Sequence, residues 1–315
     1  MIKTDRRDFL KKSILSSVAF TAPQFLNASE LPQKDSLPIS IFSKHLQFLN
    51  IPDMVEAAAE IGFDGVDLAV RPKGHVEPAQ VGEQLPIAVD AFRKVGFTPQ
   101  LMTCAVSDAD DQTDRTVLET AAKLGFKYYR MNYYHYLKEK SIPDSLIFFK
   151  DKIRTLASYN EKLGITGCYQ NHAGNYIGSS IWELYDLISA TNSNSLGVQY
   201  DIRHAVVEGG QNWQNGLKLI HQRIKTLALK DFRWEKIDGK WKLVNCPIGE
   251  GMVDFLAFFK LIRSYQIHVP VSLHFEYPLG GADRGNTTLD VNPNAVFNSM
   301  RRDLAKIRTL WEQSA

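Results

Sequence analysis

The stretch Ile61-Gly62-Phe63-Asp64-Gly65-Val66-Asp67 decides the fold. It reads as the last residue of a helix, a glycine cap, a two-residue turn and the start of a buried strand. Glycine suits the cap because it lacks the Cβ that penalises the left-handed conformation at a helix end. The same hand-over recurs at Gly96-Phe97, Gly125-Phe126 and Gly164-Ile165. Working outward from these points, short β-rich runs fall at 39–43, 65–70, 98–103, 128–131, 166–170, 197–200, 226–230 and 269–276. Helical patterns with apolar residues three and four apart follow them, at 54–61, 86–95, 113–124, 144–163, 181–190, 212–221, 252–264 and 293–311. Strands alternating with helices through short connections imply a parallel sheet. Eight such units imply an α/β protein whose sheet closes into a (β/α)8 TIM barrel. No G-x-G-x-x-G or Walker pattern follows any strand, which weighs against a dinucleotide or nucleotide site.

The chain has 315 residues, of which 44% are apolar, and a formal net charge of +2. Residues 36–315 suit one barrel domain. The near-neutral charge argues against nucleic acid as a partner. Residues 1–28 read as a leader: Arg6-Arg7-Asp8-Phe9-Leu10-Lys11-Lys12, then a short apolar run at 14–22 and small residues near Ala28. An amphipathic N-terminal helix is the bland reading. The preferred one is a twin-arginine signal peptide, implying export to the periplasm with no stable membrane span after the leader is removed. Cys104, Cys168 and Cys246 are too few and too dispersed to form a disulfide framework.

In a barrel of this kind chemistry belongs at the C-terminal ends of the strands. That rule selects His45, Asp67 with His75, Arg130 with His135, Gln170 with His172, Asp201 with His204, Lys230 with Asp231, and His274 with Glu276. Histidines and carboxylates converging on one rim are what a divalent metal or an acid/base site requires. Glu276 sits in Leu273-His274-Phe275-Glu276-Tyr277, where residues two apart share a face, so His274 and Glu276 point the same way. Asp201 precedes no immediate helical signal, which argues against a plain helix cap. Lys230 reads as inward-facing, where a buried ammonium would polarise a carbonyl or steady an enolate oxygen. Arg71 and His75 lie on a long insertion after the second strand, and Arg130 lies in the aromatic run 128–136; with His172 they are expected to bind substrate.

Several segments in order resemble the xylose-isomerase-like family of sugar phosphate isomerases and epimerases. They are 61–67, Gln170-Asn171-His172, Asp201-Ile202-Arg203-His204, Leu229-Lys230-Asp231, Pro247-Ile248-Gly249-Glu250-Gly251 with Asp254-Phe255, and Glu276. The resemblance implies one divalent ion (Mn, Mg, Co or Zn) held by a Glu, an Asp, a His and a second Glu from the last four strands. It also implies a proton shuttle between the two glutamates. Asp201 and Glu276 match that pattern; Gln170 falls on the first glutamate and Ala228 on the histidine. The expected metal set is therefore Gln170, Asp201, His274 and Glu276, with His274 compensating for Ala228. The expected catalytic residues are Glu276, Lys230 and His204. The implied function is a metal-dependent isomerase or epimerase that removes a proton beside the carbonyl of a non-phosphorylated sugar or keto-sugar, with a homodimer possible. A lyase or hydrolase cleaving 3-keto-glycosides by elimination is the alternative, because Gln170 cannot act as a base. A non-catalytic sugar-binding barrel is the further alternative.

Overall fold

The computed structural model describes residues 36–315; the expected leader lies outside the described residues. The strands β1 (Ile39–Phe42), β2 (Gly65–Val70), β3 (Leu101–Cys104), β4 (Tyr128–Arg130), β5 (Thr166–Gln170), β6 (Leu196–Asp201), β7 (Ile224–Leu229) and β10 (Val271–Leu273) form the wall. They close in the order β1-β10-β7-β6-β5-β4-β3-β2, and every pairing is parallel. This is the eight-stranded TIM barrel that the sequence implies. Helices α1 (Ile51–Ile61), α2 (Val81–Lys94), α3 (Gln112–Leu124), α4 (Ile142–Leu163) and α5 (Ile181–Ile188) follow the first five strands. The others are α6 (Ile202–Gly209), α7 (Trp213–Ile220), α8 (Phe255–Ser264) and α9 (Pro293–Gln313). Among the described residues no helix is long and apolar enough to cross a membrane.

Local chemistry sets these boundaries. Asn50, Asp111 and Ser141 each accept a backbone N–H from the third residue on, so α1, α3 and α4 start where a side chain relieves the unpaired amides of a first turn. Gly62 ends α1 at φ 103°, and its N–H returns to Ala58 and Ala59. The apolar faces of the helices pack on the outer barrel wall, around Leu68, Tyr169, Val198, Leu227 and Phe258, all fully buried. His45 is part of this scaffold: its Nε2 accepts the Phe275 N–H at 3.0 Å and its Nδ1 donates to the Ala282 carbonyl at 3.1 Å. Both ring nitrogens are thereby committed. The three cysteines are free and buried, and burial pushes the Cys104 and Cys168 thiols up to about 12 and Cys246 to about 11. They are packing residues.

Two elements are absent from the sequence reading. The first is a two-stranded antiparallel hairpin, β8 (Asp231–Ile237) and β9 (Lys240–Cys246), inserted after β7. The second is α6, which begins directly on Asp201, where the sequence reading places no immediate helix. Its eight residues are too few for periodicity to register.

The segment Pro247-Ile248-Gly249-Glu250-Gly251 has a structural role. It wraps the Asp231 carboxylate, which accepts the backbone N–H groups of Phe232 (2.8 Å), Gly249 (2.9 Å), Gly251 (3.0 Å) and Val253 (3.2 Å). A Cβ on Gly251 would stand 2.2 Å from Asp231 Oδ1 and 2.3 Å from the Phe232 carbonyl, so only glycine fits. Asp231→Ala leaves four amides without their acceptor and is expected to cost roughly 3 kcal/mol or more, lowering the thermal midpoint by roughly 6–12 °C. A melting curve within a degree or two of the wild type would show that the loop does not hang on this carboxylate.

Candidate active site

The end of β7 delivers Lys230 to the mouth of the barrel. Its Nζ lies 3.3 Å from Asp201 Oδ2, at the end of β6, and 3.2 Å from Glu276 Oε2, just past β10. Lys230 and Asp201 side chains are 3% and 0% exposed, whereas that of Glu276 is 24% exposed and reaches the opening. Burial works against the charge on Lys230, but the two carboxylates outweigh it and raise the ammonium's pKa. Glu276 feels burial upward, but Lys230 and His274 hold it well below the usual carboxylate range. The strand β10 is shorter than expected and ends at Leu273, yet the His274 N–H still pairs with the Leu229 carbonyl at 3.0 Å. The alternation therefore continues far enough to turn both His274 and Glu276 toward Lys230. The register also sets Ala228 beside Asp201 and Ser272, fully buried on the face that Lys230 shares.

Asp201 does two jobs. Its Oδ1 accepts the His204 N–H at 3.0 Å and so caps α6, which corrects the expectation that it is no helix cap. Its Oδ2 faces Lys230 and accepts from Gln170 Nε2 at 2.8 Å. The Asn171 amide brackets its backbone, accepting the Asp201 N–H at 2.8 Å and donating to its carbonyl at 2.9 Å. Gln170 Oε1 takes Tyr133 Oη at 2.6 Å and Arg130 Nη1 at 3.2 Å. A guanidinium only donates, so this contact fixes which end of the Gln170 amide carries the oxygen. Arg130 also bonds to Tyr133, and its Nε is buried with no hydrogen-bond partner.

The histidines divide by tautomer. Arg203 Nη1 approaches His204 Nδ1 at 2.9 Å, so Nδ1 accepts and Nε2 carries the proton, 3.6 Å from Asp201 Oδ2. His172 Nδ1 donates to the Ala173 carbonyl at 2.9 Å, which leaves Nε2 as a free lone pair; its ring packs 4.0 Å from that of His204. Burial, with Lys230 adding to it, lowers His172 to about 4. His274 Nε2 meets Ser272 Oγ at 3.1 Å, and Ser272 donates to the buried Asp67 at 2.6 Å. Its Nδ1 faces Glu276 Oε1 at 3.8 Å.

Arg71 lies at the edge of this cluster with its guanidinium over the Phe42 ring at 5.3 Å. His75 is not brought to the cluster: it bonds to Ser43 Oγ at 3.1 Å, and burial lowers it to about 4. Three members escaped the sequence reading. Lys44, next to His45, approaches Glu276 Oε1 at 3.9 Å. Tyr133 sat unresolved within the aromatic run. Arg203 joins Asn245 of β9 at 2.7 Å, and Asn245 donates to the Glu276 carbonyl at 3.2 Å.

Gln170, Asp201, His274 and Glu276 do surround one point, but they do not fit a divalent ion as they stand. Among the described residues no group of three or more His, Cys, Asp or Glu side chains is placed to hold a metal. The two carboxylates already grip an ammonium. A divalent ion about 4 Å from that ammonium would meet a repulsion of about 8 kcal/mol at an effective dielectric of about 20.

Five histidines, three buried (His45, His204, His274) and two half-buried (His75, His172), give the fold a pH signature. Burial lowers His45, His75, His172, His204 and His274 below their ordinary value of 6.5. The folded chain thus binds fewer protons than the unfolded one, so this stability is complete above about pH 6.5 and is lost as pH falls toward 4. The slope is up to about 1.4 kcal/mol per pH unit for each histidine; Asp67, raised by burial, works in the opposite sense. Urea unfolding should show a clearly lower midpoint at pH 5.5 than at pH 7.5. Equal midpoints would mean that the histidines are not sealed.

Comparison with known proteins agrees with the fold. A family model described as a xylose isomerase-like TIM barrel matches residues 55–290. No curated protein matches the chain. Among solved structures, 3-keto-D-glucoside 4-epimerase from E. coli superposes with a TM-score of 0.63 at 14% identity, covering 87% of this chain and 100% of that one. D-allulose 3-epimerase from Methylomonas sp. gives a TM-score of 0.65 at 14% identity, covering 87% and 98%. A xylose isomerase-like TIM barrel protein from Mycobacterium smegmatis, in complex with magnesium, gives 0.65 at 10% identity, covering 89% and 98%. At such identities the likeness is one of fold.

Proposed function

The chain belongs to the xylose isomerase-like TIM barrel family, and from that premise we propose that it is an enzyme of sugar isomerisation or epimerisation. Its substrate is a non-phosphorylated sugar or keto-sugar, and the reaction begins by removing a proton beside a carbonyl. One observation carries this reading: Glu276 is a carboxylate at the barrel mouth, partly exposed, lying directly over the sealed Lys230 ammonium. A base next to a fixed cation is the arrangement that forms an enolate, because the cation steadies the charge that develops on oxygen as the proton leaves. The solved structures of sugar epimerases on the same fold support the substrate class.

Glu276 takes the proton. Lys230, beside it, and Arg130, across the cluster, receive the carbonyl oxygen and a neighbouring hydroxyl. His172 Nε2 is the free lone pair that accepts a second hydroxyl proton, and the Nε2–H of His204 is a donor. Glu276 then returns its proton to the same carbon or to the adjacent one. Return on the same face to the neighbouring carbon, with the proton of the adjacent hydroxyl passing to the enolate oxygen so that the carbonyl moves over, gives isomerisation; epimerisation needs a donor on the opposite face.

Gln170 favours a second reading. An amide with its oxygen bonded to Tyr133 and Arg130 and its nitrogen bonded to Asp201 can neither take nor return a proton. One base suffices for elimination, in which the enolate expels the group on the next carbon. On a 3-keto-glycoside that expels the aglycone.

Incubation of keto-sugars and 3-keto-glycosides with the protein in D2O should place deuterium beside the carbonyl, read by NMR. Glu276→Gln should reduce that exchange by at least about a hundredfold while ligand binding persists. Aglycone release without sugar interconversion would select elimination. Absence of exchange with every such substrate would refute proton abstraction.

A further inference from the structure

We propose that the Lys230 ammonium is the resident cation of this site, standing between the two carboxylates that the family resemblance assigns to a divalent ion, so that the chain works without a metal. That the chain's catalysis needs no metal rests on the proposed function; that Lys230 occupies the place of the cation does not.

Most donor atoms that the resemblance offers to a metal are already committed; His274 Nδ1, buried without a hydrogen-bond partner and 3.8 Å from Glu276 Oε1, is the exception among the nitrogens. Asp201 Oδ1 caps α6 through the His204 N–H at 3.0 Å, and Oδ2 holds Lys230 at 3.3 Å and Gln170 at 2.8 Å. Glu276 Oε2 holds Lys230 at 3.2 Å, and Lys44 approaches Oε1 at 3.9 Å. Gln170 spends its oxygen on Tyr133 and Arg130 and turns its N–H2 toward Asp201, so a donor faces the carboxylate where a metal ligand would offer a lone pair. Ala228 supplies nothing from the position of the missing histidine, and His274 Nε2 is spent on Ser272.

The ammonium is not a side chain that drifted in. Lys230 is 3% exposed, at the end of a buried strand, and its neighbour Asp231 is locked by four backbone amides. With carboxylate oxygens at 3.3 and 3.2 Å, it keeps its charge where the strand puts it. The neutral amide of Gln170 and the fixed cation of Lys230 act in the same direction: two carboxylates and one ammonium leave little negative charge for a divalent ion.

The test is metal binding by the full chain, with turnover not used as a readout. The purified protein should carry substoichiometric divalent metal, and millimolar Mn2+ should leave its thermal midpoint unmoved. Lys230→Met keeps the side-chain length and removes the charge; Lys230→Gln serves if that variant does not fold. In the folded variant Mn2+ should become a ligand of Asp201 and Glu276, raising the midpoint by roughly 5–10 °C at a hundredfold excess over its Kd. Adding Asp201→Asn should abolish the rise. One divalent ion per wild-type chain, lost in Asp201→Asn, would overturn the proposal. So would a charge-neutral variant as indifferent to Mn2+ as the wild type, since the ammonium would then not be what excludes the ion. Neither result depends on which reaction the barrel performs, so the proposed function stands or falls separately in the D2O experiment.

Discussion

A buried ammonium needs counter-charge, and the upper end of this barrel is arranged around meeting that need. An unpaired charge in such a place would cost several kcal/mol. Lys230 avoids this by drawing Asp201 and Glu276 to within 3.3 and 3.2 Å, which ties the ends of β6, β7 and β10 together. Much else serves the same pair of contacts. Asn171 brackets the Asp201 backbone, Gln170 supports its Oδ2, and Asn245 holds the Glu276 carbonyl. The hydrogen bonds around the three charges do more than add stability. They leave one partly exposed carboxylate in one place with one orientation.

The histidines show how the same residue type is divided between scaffold and chemistry. His45 has both ring nitrogens bonded to main chain, across a loop that closes against β10. His172 and His204 pack ring to ring, yet their partners impose opposite tautomers: a carbonyl beside His172 Nδ1 and a guanidinium beside His204 Nδ1. One presents a lone pair and the other a proton. Nothing in the residue identities could have said so, because the distinction is made by Arg203 and Ala173, each adjacent in sequence to the histidine it orients.

The barrel was legible because eight strand–helix units repeat, and because Gly62, Gly125 and Gly164 mark the joins with left-handed caps. What went unread was short or local. The hairpin of β8 and β9 carries charged residues along strands that a core-seeking eye passes over, although Asp238-Gly239 is a turn signal for a two-residue hairpin. Strand-end logic brought Gln170, Asp201, Lys230, His274 and Glu276 to one point. It could not foresee that Lys230 would stand between the carboxylates, since that depends on side-chain reach rather than on register. Lys44 and Arg203 were missed because each sits in a short helical turn directly after its strand, while His75, chosen from a loop, is drawn aside by Ser43.

The hairpin has a bearing on how such a barrel can diversify. Asp238 and Gly239 close it with positive φ angles of 53° and 75°, and its two strands pair residue for residue along their whole length. Only its base meets the charged cluster, through Asn245 and through Phe232, over which Arg203 lies at 5.4 Å. Toward the tip Trp241 is 68% exposed. A ladder that is complete in itself can be lengthened, shortened or given a new tip without asking anything of the barrel wall. The charge arrangement and the hairpin tip beside it are therefore separable: one is locked to the scaffold, and the other can change without disturbing it.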